Sequence, residues 1–113
     1  MKKYVRSKTF INRATRERIE IDRTTKTLTI KYCVGDGYYK HGQSYDCYTF
    51  VDTEGNTWGY NSPVDYNGTA KTAIGKMLQE LDIGDSVIVS GYFIPSGRAN
   101  IEGPIINPRL LRR

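Results

Sequence analysis

Residues 27–61 limit what this chain can fold into more than any other stretch, because they hold three strand signals in succession with a tight turn between the second and third. The strands expected are 27–34, 46–52 and 56–61. Between the last two, Asp52-Thr53-Glu54-Gly55-Asn56 has the chemistry of a short hairpin: a side-chain acceptor at the first position and a glycine where positive φ is needed. A turn centred near Glu54 sets Phe50 opposite Trp58 and Tyr48 opposite Tyr60, and the two-residue period of a strand puts all four rings on one face. Folding the first strand back symmetrically about Lys40 adds Ile30 beside Phe50 and Tyr32 beside Tyr48. The same register brings Cys33 opposite Cys47, away from the aromatic stripe.

At 113 residues the chain has room for one domain and one core. Apolar content is low at 38%, and nine tyrosines offset part of the deficit, since each carries a large buriable ring with a polar tip. No run approaches the roughly 18 apolar residues of a membrane span. The basic start, Met1-Lys2-Lys3-Tyr4-Val5-Arg6, leads into Ser7-Lys8-Thr9 and not into an apolar signal core, so a soluble, cytoplasmic protein without a membrane partner is expected. The net charge of +5 is uneven: residues 1–31 carry +7 and the remainder −2. Such a field is either a solvated surface or the electrostatic footprint of a polyanion. The two cysteines are too few for a disulfide framework and lack the spacing of a metal or redox motif, so two reduced thiols are expected.

Taken in order, residues 3–12 are basic with scattered apolar positions and fit either a weak strand or an arm that orders on a partner. Arg18-Ile19-Glu20-Ile21-Asp22 alternates, 23–26 fits a turn, and 27–32 alternates again, which predicts a hairpin. Residues 35–45 are glycine-rich and unusually aromatic, the composition of a long functional loop. A helix is expected over 69–81, capped by Asn67 or Thr69, with Ile74, Met77, Leu78 and Leu81 turned to the core. Residues 86–94 read as a strand, 95–98 as a turn and 99–102 as the start of a return strand. Pro104 and Pro108 are expected to interrupt that strand ahead of a basic tail.

Strand, long loop, strand, tight turn, strand, connection, helix, strand, turn, strand resembles the order of elements in the OB-fold. The resemblance rests on Tyr48-Thr49-Phe50-Val51-Asp52-Thr53-Glu54-Gly55-Asn56 as the central hairpin. It rests also on Leu81-Asp82-Ile83-Gly84-Asp85-Ser86-Val87-Ile88-Val89-Ser90-Gly91, similar to the passage from helix to fourth strand in many nucleic-acid-binding OB domains. It implies a mainly β chain with a small five-stranded barrel over 27–106 and one helix between the third and fourth strands. An extra hairpin or arm over 1–26 and a basic tail over 107–113 complete the expected organisation. Bacterial single-stranded DNA-binding proteins of this fold end in an acidic tail that recruits partners. Arg112-Arg113 departs from that pattern, so recruitment by that route is not implied here.

Catalytic chemistry is sparse. His41 is the sole histidine, the Gly68 to Gly75-Lys76 spacing does not match a phosphate loop, and Asp36, Asp46 and Asp52 have no metal-ligand spacing. The expectation is a non-enzymatic protein without cofactor or metal. Binding single strands without regard to sequence needs cations for phosphates and flat rings for unstacked bases. Lys31, Tyr38, Tyr39, Lys40, Trp58, Tyr60 and Arg98 supply both, so single-stranded DNA is the expected partner and RNA the second choice; self-association is compatible with either. For Trp58 and Tyr60 a core position competes with a platform position, because their face also carries Leu28 and Ile30. The alternative function is a protein-interaction barrel, adaptor or inhibitor, whose loop tyrosines form the interface.

Overall fold

The computed structural model describes residues 7–12, 15–95 and 102–112. Its elements are β1 (Ser7–Ile11), β2 (Arg18–Asp22), β3 (Thr24–Lys40), β4 (Gln43–Asp52), β5 (Thr57–Val64), α1 (Ala73–Gln79), β6 (Ser86–Phe93) and β7 (Gly103–Arg112), so the chain is mainly β. β1 and β2 form a separate antiparallel hairpin, and the other five strands pair in the order β3-β4-β5-β7-β6, closed by β3 against β6. Closure depends on the length of β3. Its first six residues, Thr24 to Thr29, pair with β6, and the positions from Leu28 onward pair with β4. β5 meets β7 in parallel at Trp58↔Gly103 and Gly59↔Pro104, a pairing that requires the crossover through α1 and β6.

Inward-facing positions of the strands make one core. Leu28, Ile30, Phe50, Val87 and Val89 are almost fully buried, and Tyr48, Trp58, Phe93 and Ile105 pack with them. Burying residues of this size stabilises by about 1.5–3 kcal/mol each before ordering costs. The turn from β4 to β5 is built around Asp52, whose Oδ1 accepts from the backbone N–H groups of Glu54 and Asn56, both at 2.9 Å, with Gly55 at φ 86°. The expected pairs Phe50↔Trp58 and Tyr48↔Tyr60 both occur.

α1 is shorter than the periodicity predicts. Lys71 N–H is spent on Pro63 O and Ala70 bridges to Val64, which holds the chain extended until Thr72 caps the helix through Gly75 N–H at 3.1 Å. Ile74 and Leu78 enter the core and Leu81 packs against it, whereas Met77 is 37% exposed and does not.

Four expectations fail on register and pairing. First, residues 35–45 are not a loop: β3 runs to Lys40 and β4 starts at Gln43, joined by His41-Gly42. Those two residues have φ of 51° and 79°, the positive pair that a two-residue hairpin turn demands. Second, the register slips by one residue between Ile30 and Tyr32, so Ile30↔Phe50 holds but Tyr32 faces Thr49 instead of Tyr48. The cause lies beside the slip: Ile30 N–H donates to Asp85 O at 2.9 Å and Ile30 O accepts from Gly84 N–H at 2.8 Å. Those bonds hold Ile30 toward the start of β6 and leave Lys31 as an extra residue opposite β4.

Third, β2 pairs with β1 and not with β3, because only Arg23 separates β2 from β3. Fourth, β7 runs from Gly103 through both prolines to Arg112, so the expected basic tail belongs to it; positions 99–101, where the return strand was expected to start, lie outside the described residues. Pro108 and Asn107, the latter at φ 50°, lie within a register irregularity opposite β6, where no ladder N–H is required of a proline. Gly91 permits that approach, since a Cβ there would meet Ile105 Cγ2 at 3.0 Å and Pro108 Cα at 3.3 Å. No helix among the described residues is long and apolar enough to cross a membrane.

Candidate nucleic-acid interface

The distal part of the β3–β4 hairpin is a two-stranded ribbon. Past the slip at Lys31, the side chains of β3 that would have turned to the core turn outward, and Tyr32 is 46% exposed. A second irregularity sets Gly35, Asp36 and Gly37 against Asp46, between the pairs Val34↔Cys47 and Tyr38↔Tyr45. Asp46 Oδ1 secures it by accepting from Asp36 N–H at 3.1 Å. Beyond it Tyr38 packs on Tyr45 across the ribbon with ring centroids 5.4 Å apart, and Tyr39 sits opposite Ser44. Neighbours in a strand face opposite ways. Tyr38 therefore borders the groove described below, while Tyr39, 67% exposed, points away from it.

The cations of this region are Lys31, with Nζ 6.0 Å from the Tyr32 ring, and Lys40 beside the ribbon's turn. Both are exposed. Gln43 anchors the ribbon to the barrel: its Nε2 donates to Val64 O at 2.8 Å and its Oε1 accepts from Lys71 Nζ at 2.8 Å.

An open groove of about 780 Å³ runs beside the ribbon. Phe10 and Ile11 of the β1–β2 hairpin form one wall and Tyr38 another; Cys47, Gly59 and Asn61 belong to the strands between. The hairpin is held by a cluster on Tyr92. The Phe10 ring lies 5.6 Å from it, Lys8 Nζ 5.1 Å and the Arg23 guanidinium 4.9 Å from its centroid. Arg23 also donates to Ser90 O at 3.1 Å and to Asn107 O at 2.9 Å, which joins the hairpin's base to β6 and β7.

Of the residues predicted to bind, Lys31, Tyr38, Tyr39 and Lys40 all lie on the ribbon and are exposed. Tyr60 is half-buried, packed against the core with part of its surface on the groove. Trp58 does not serve as a platform. It is 5% exposed, packs edge-on to Phe93 at 5.2 Å, and donates its indole N–H to Asp52 Oδ2 at 3.0 Å. Arg98 lies outside the described residues. The hairpin wall was not predicted as part of a site; its only trace in the sequence is Phe10-Ile11 within a basic stretch.

Electrostatics separates the buried groups from the exposed ones. Burial by itself would raise the carboxyl pKa of Asp52, but the indole N–H, the backbone N–H groups of Asn56 and Glu54, and Lys26 at 3.8 Å outweigh it and hold the group below its ordinary value. Burial pushes the Tyr48 hydroxyl up, with Cys33 adding to the effect. The Cys33 thiol is raised by burial against a lowering hydrogen bond to Tyr48, and Cys47 is raised by burial and by Asp46. Both cysteines are free thiols. Among the described residues no group of His, Cys, Asp and Glu is placed to hold a metal ion. No protein-family model, curated protein or solved structure matches the chain.

Proposed function

We propose that the protein is a non-enzymatic, sequence-tolerant single-stranded DNA-binding module of the OB type, acting where single strands are exposed in replication, recombination or DNA transfer. The observation that carries the reading is the ribbon, which holds Tyr32, Tyr38 and Tyr39 in solvent with Lys31 and Lys40 beside them. Rings this exposed add little to the core of a chain with few apolar residues. Rings of this kind are stacking surfaces for bases, and ammonium groups beside them displace counterions from phosphates. The OB assignment is supported by the ring order β3-β4-β5-β7-β6 and the parallel β5–β7 contact, with α1 between β5 and β6, the third and fourth of these strands along the chain.

The test is a salt titration of oligonucleotide anisotropy with single-stranded and duplex DNA of one sequence. Affinity for the single strand is expected to fall steeply with salt and to exceed that for duplex. Lys40→Ala should lower the salt slope by about 0.7, the share of one phosphate on a single strand. Absence of binding at micromolar protein in low salt, or equal binding to duplex, would refute the reading. A protein-interaction barrel is the second reading, favoured by Val34. It is 51% exposed beside Tyr32, and an aliphatic side chain suits a protein partner better than a base. Complex formation insensitive to salt would point that way.

A further inference from the structure

We propose that the groove between the β1–β2 hairpin and the ribbon takes in the bases of the bound strand, with Tyr38 as the stacking surface inside it and Tyr39 on the other side of the ribbon. The inference rests on the single-strand reading above and assigns that activity to one side of the ribbon. The groove's volume, about 780 Å³, falls in the range of sites that enclose small ligands. Its lining suits flat heterocycles: Tyr38 on one side, Ile11 and Ile106 as apolar surface, and two exposed asparagines, Asn61 and Asn107. An amide both donates and accepts, so it can meet the edge of any base and does not impose a sequence.

The walls are also set in place before any ligand arrives. Tyr38 is braced by Tyr45 at 5.4 Å, and the hairpin is fixed by Phe10, Lys8 and Arg23 on Tyr92. Pre-set walls avoid the ordering cost that weakens binding to mobile segments. Strand periodicity then separates two adjacent tyrosines that the sequence presents as equivalent. Only Tyr38 borders the groove.

Two measurements on the full chain test this, using labelled oligothymidylate and the same backbone carrying abasic sites. Tyr38→Ala should weaken oligothymidylate about 5- to 150-fold, the loss of one stacked base, and leave the abasic strand unaffected. Tyr66→Ala, at an exposed ring outside the ribbon and the groove lining, should leave both unchanged, and Tyr39→Ala should cost less than Tyr38→Ala. Cys47 borders the groove and provides a spatial readout. Because its thiol is raised, alkylation is run at alkaline pH and followed peptide by peptide. Saturating oligothymidylate should slow alkylation of Cys47, and the abasic strand should not. Three results would overturn the groove while leaving single-strand binding intact: a larger loss from Tyr39→Ala than from Tyr38→Ala, equal affinity for the two strands, or an unchanged Cys47 rate in the complex. Failure of every oligonucleotide to bind would overturn both.

Discussion

β3 and β4 pair twice, under different rules. From Leu28 to Ile30, against Phe50 to Asp52, the strands lie in the barrel wall, and every second side chain goes into the core. From Tyr32 to Lys40, against Gln43 to Thr49, the same two strands form the ribbon, whose β3 side chains are mostly exposed. Composition does not separate the halves, since rings occur in both. The difference comes from one extra residue, Lys31, and from the grip of Gly84 and Asp85 on the Ile30 backbone. A one-residue slip turns every later side chain to the other face. In this chain it leaves Cys33 against the core and turns Tyr32 and Val34 out to the surface on which we place the DNA.

The sharpest way to break the comparison is to remove one ring from each half. Phe50→Ala, at a site 1% exposed, should cost about 3–5 kcal/mol in denaturant unfolding. Tyr39→Ala should stay within about 0.5 kcal/mol, as exposed substitutions do. Similar losses at the two positions would mean that the ribbon is part of the core.

A smaller effect should come from the hinge between core and turn. Asp52 is 8% exposed and tied by its carboxylate to Trp58, Glu54 and Asn56, so Asp52→Asn should cost about 1–3 kcal/mol at neutral pH. Its native pKa lies below the ordinary 3.8, so folding binds fewer protons there than the unfolded chain does. That contribution is complete above the ordinary value and is lost as pH falls through the lowered native one. Urea midpoints of the parent and the Asn variant should therefore converge on acidification below about pH 4. A gap that stays constant with pH would show that the carboxylate's charge is irrelevant there.

What could be read from the chain follows the range of the forces involved. The β4–β5 hairpin was legible because Asp52 and Gly55 write its turn locally, and the pairs Phe50↔Trp58 and Tyr48↔Tyr60 then followed by counting. Exposure of Tyr38 and Tyr39 was legible too, since no aliphatic residue shares their segment to suggest a core. The slip at Lys31 was not, because its cause is a backbone contact more than fifty residues away, inside an alternation that looks unbroken. Trp58 was ambiguous for a related reason. Asp52 has the composition of a turn cap, and nothing local says that its second oxygen will receive an indole N–H. The passage of β7 through Pro108 depends likewise on an irregularity shared with β6 and on Gly91 giving it room.

The smallest expected effect is a null that tests the slip itself. In an unbroken register Cys33 and Cys47 would be directly opposed, with Cβ atoms about 5 Å apart, close enough for an oxidant to bridge after minor adjustment. The observed register sets Cys33 against Tyr48, a core residue, and Cys47 against Val34, which is exposed. The two thiols are then diagonal neighbours on opposite faces of one ribbon, with Cβ vectors that diverge. Mild oxidant should leave the mass of the folded protein unchanged, both thiols titratable once it is unfolded, and the thermal midpoint where it was. A rapid, quantitative intramolecular bridge in the native state would require Cys33 and Cys47 on one face. That would remove the slip at Lys31 and, with it, the physical boundary between the two halves of the hairpin.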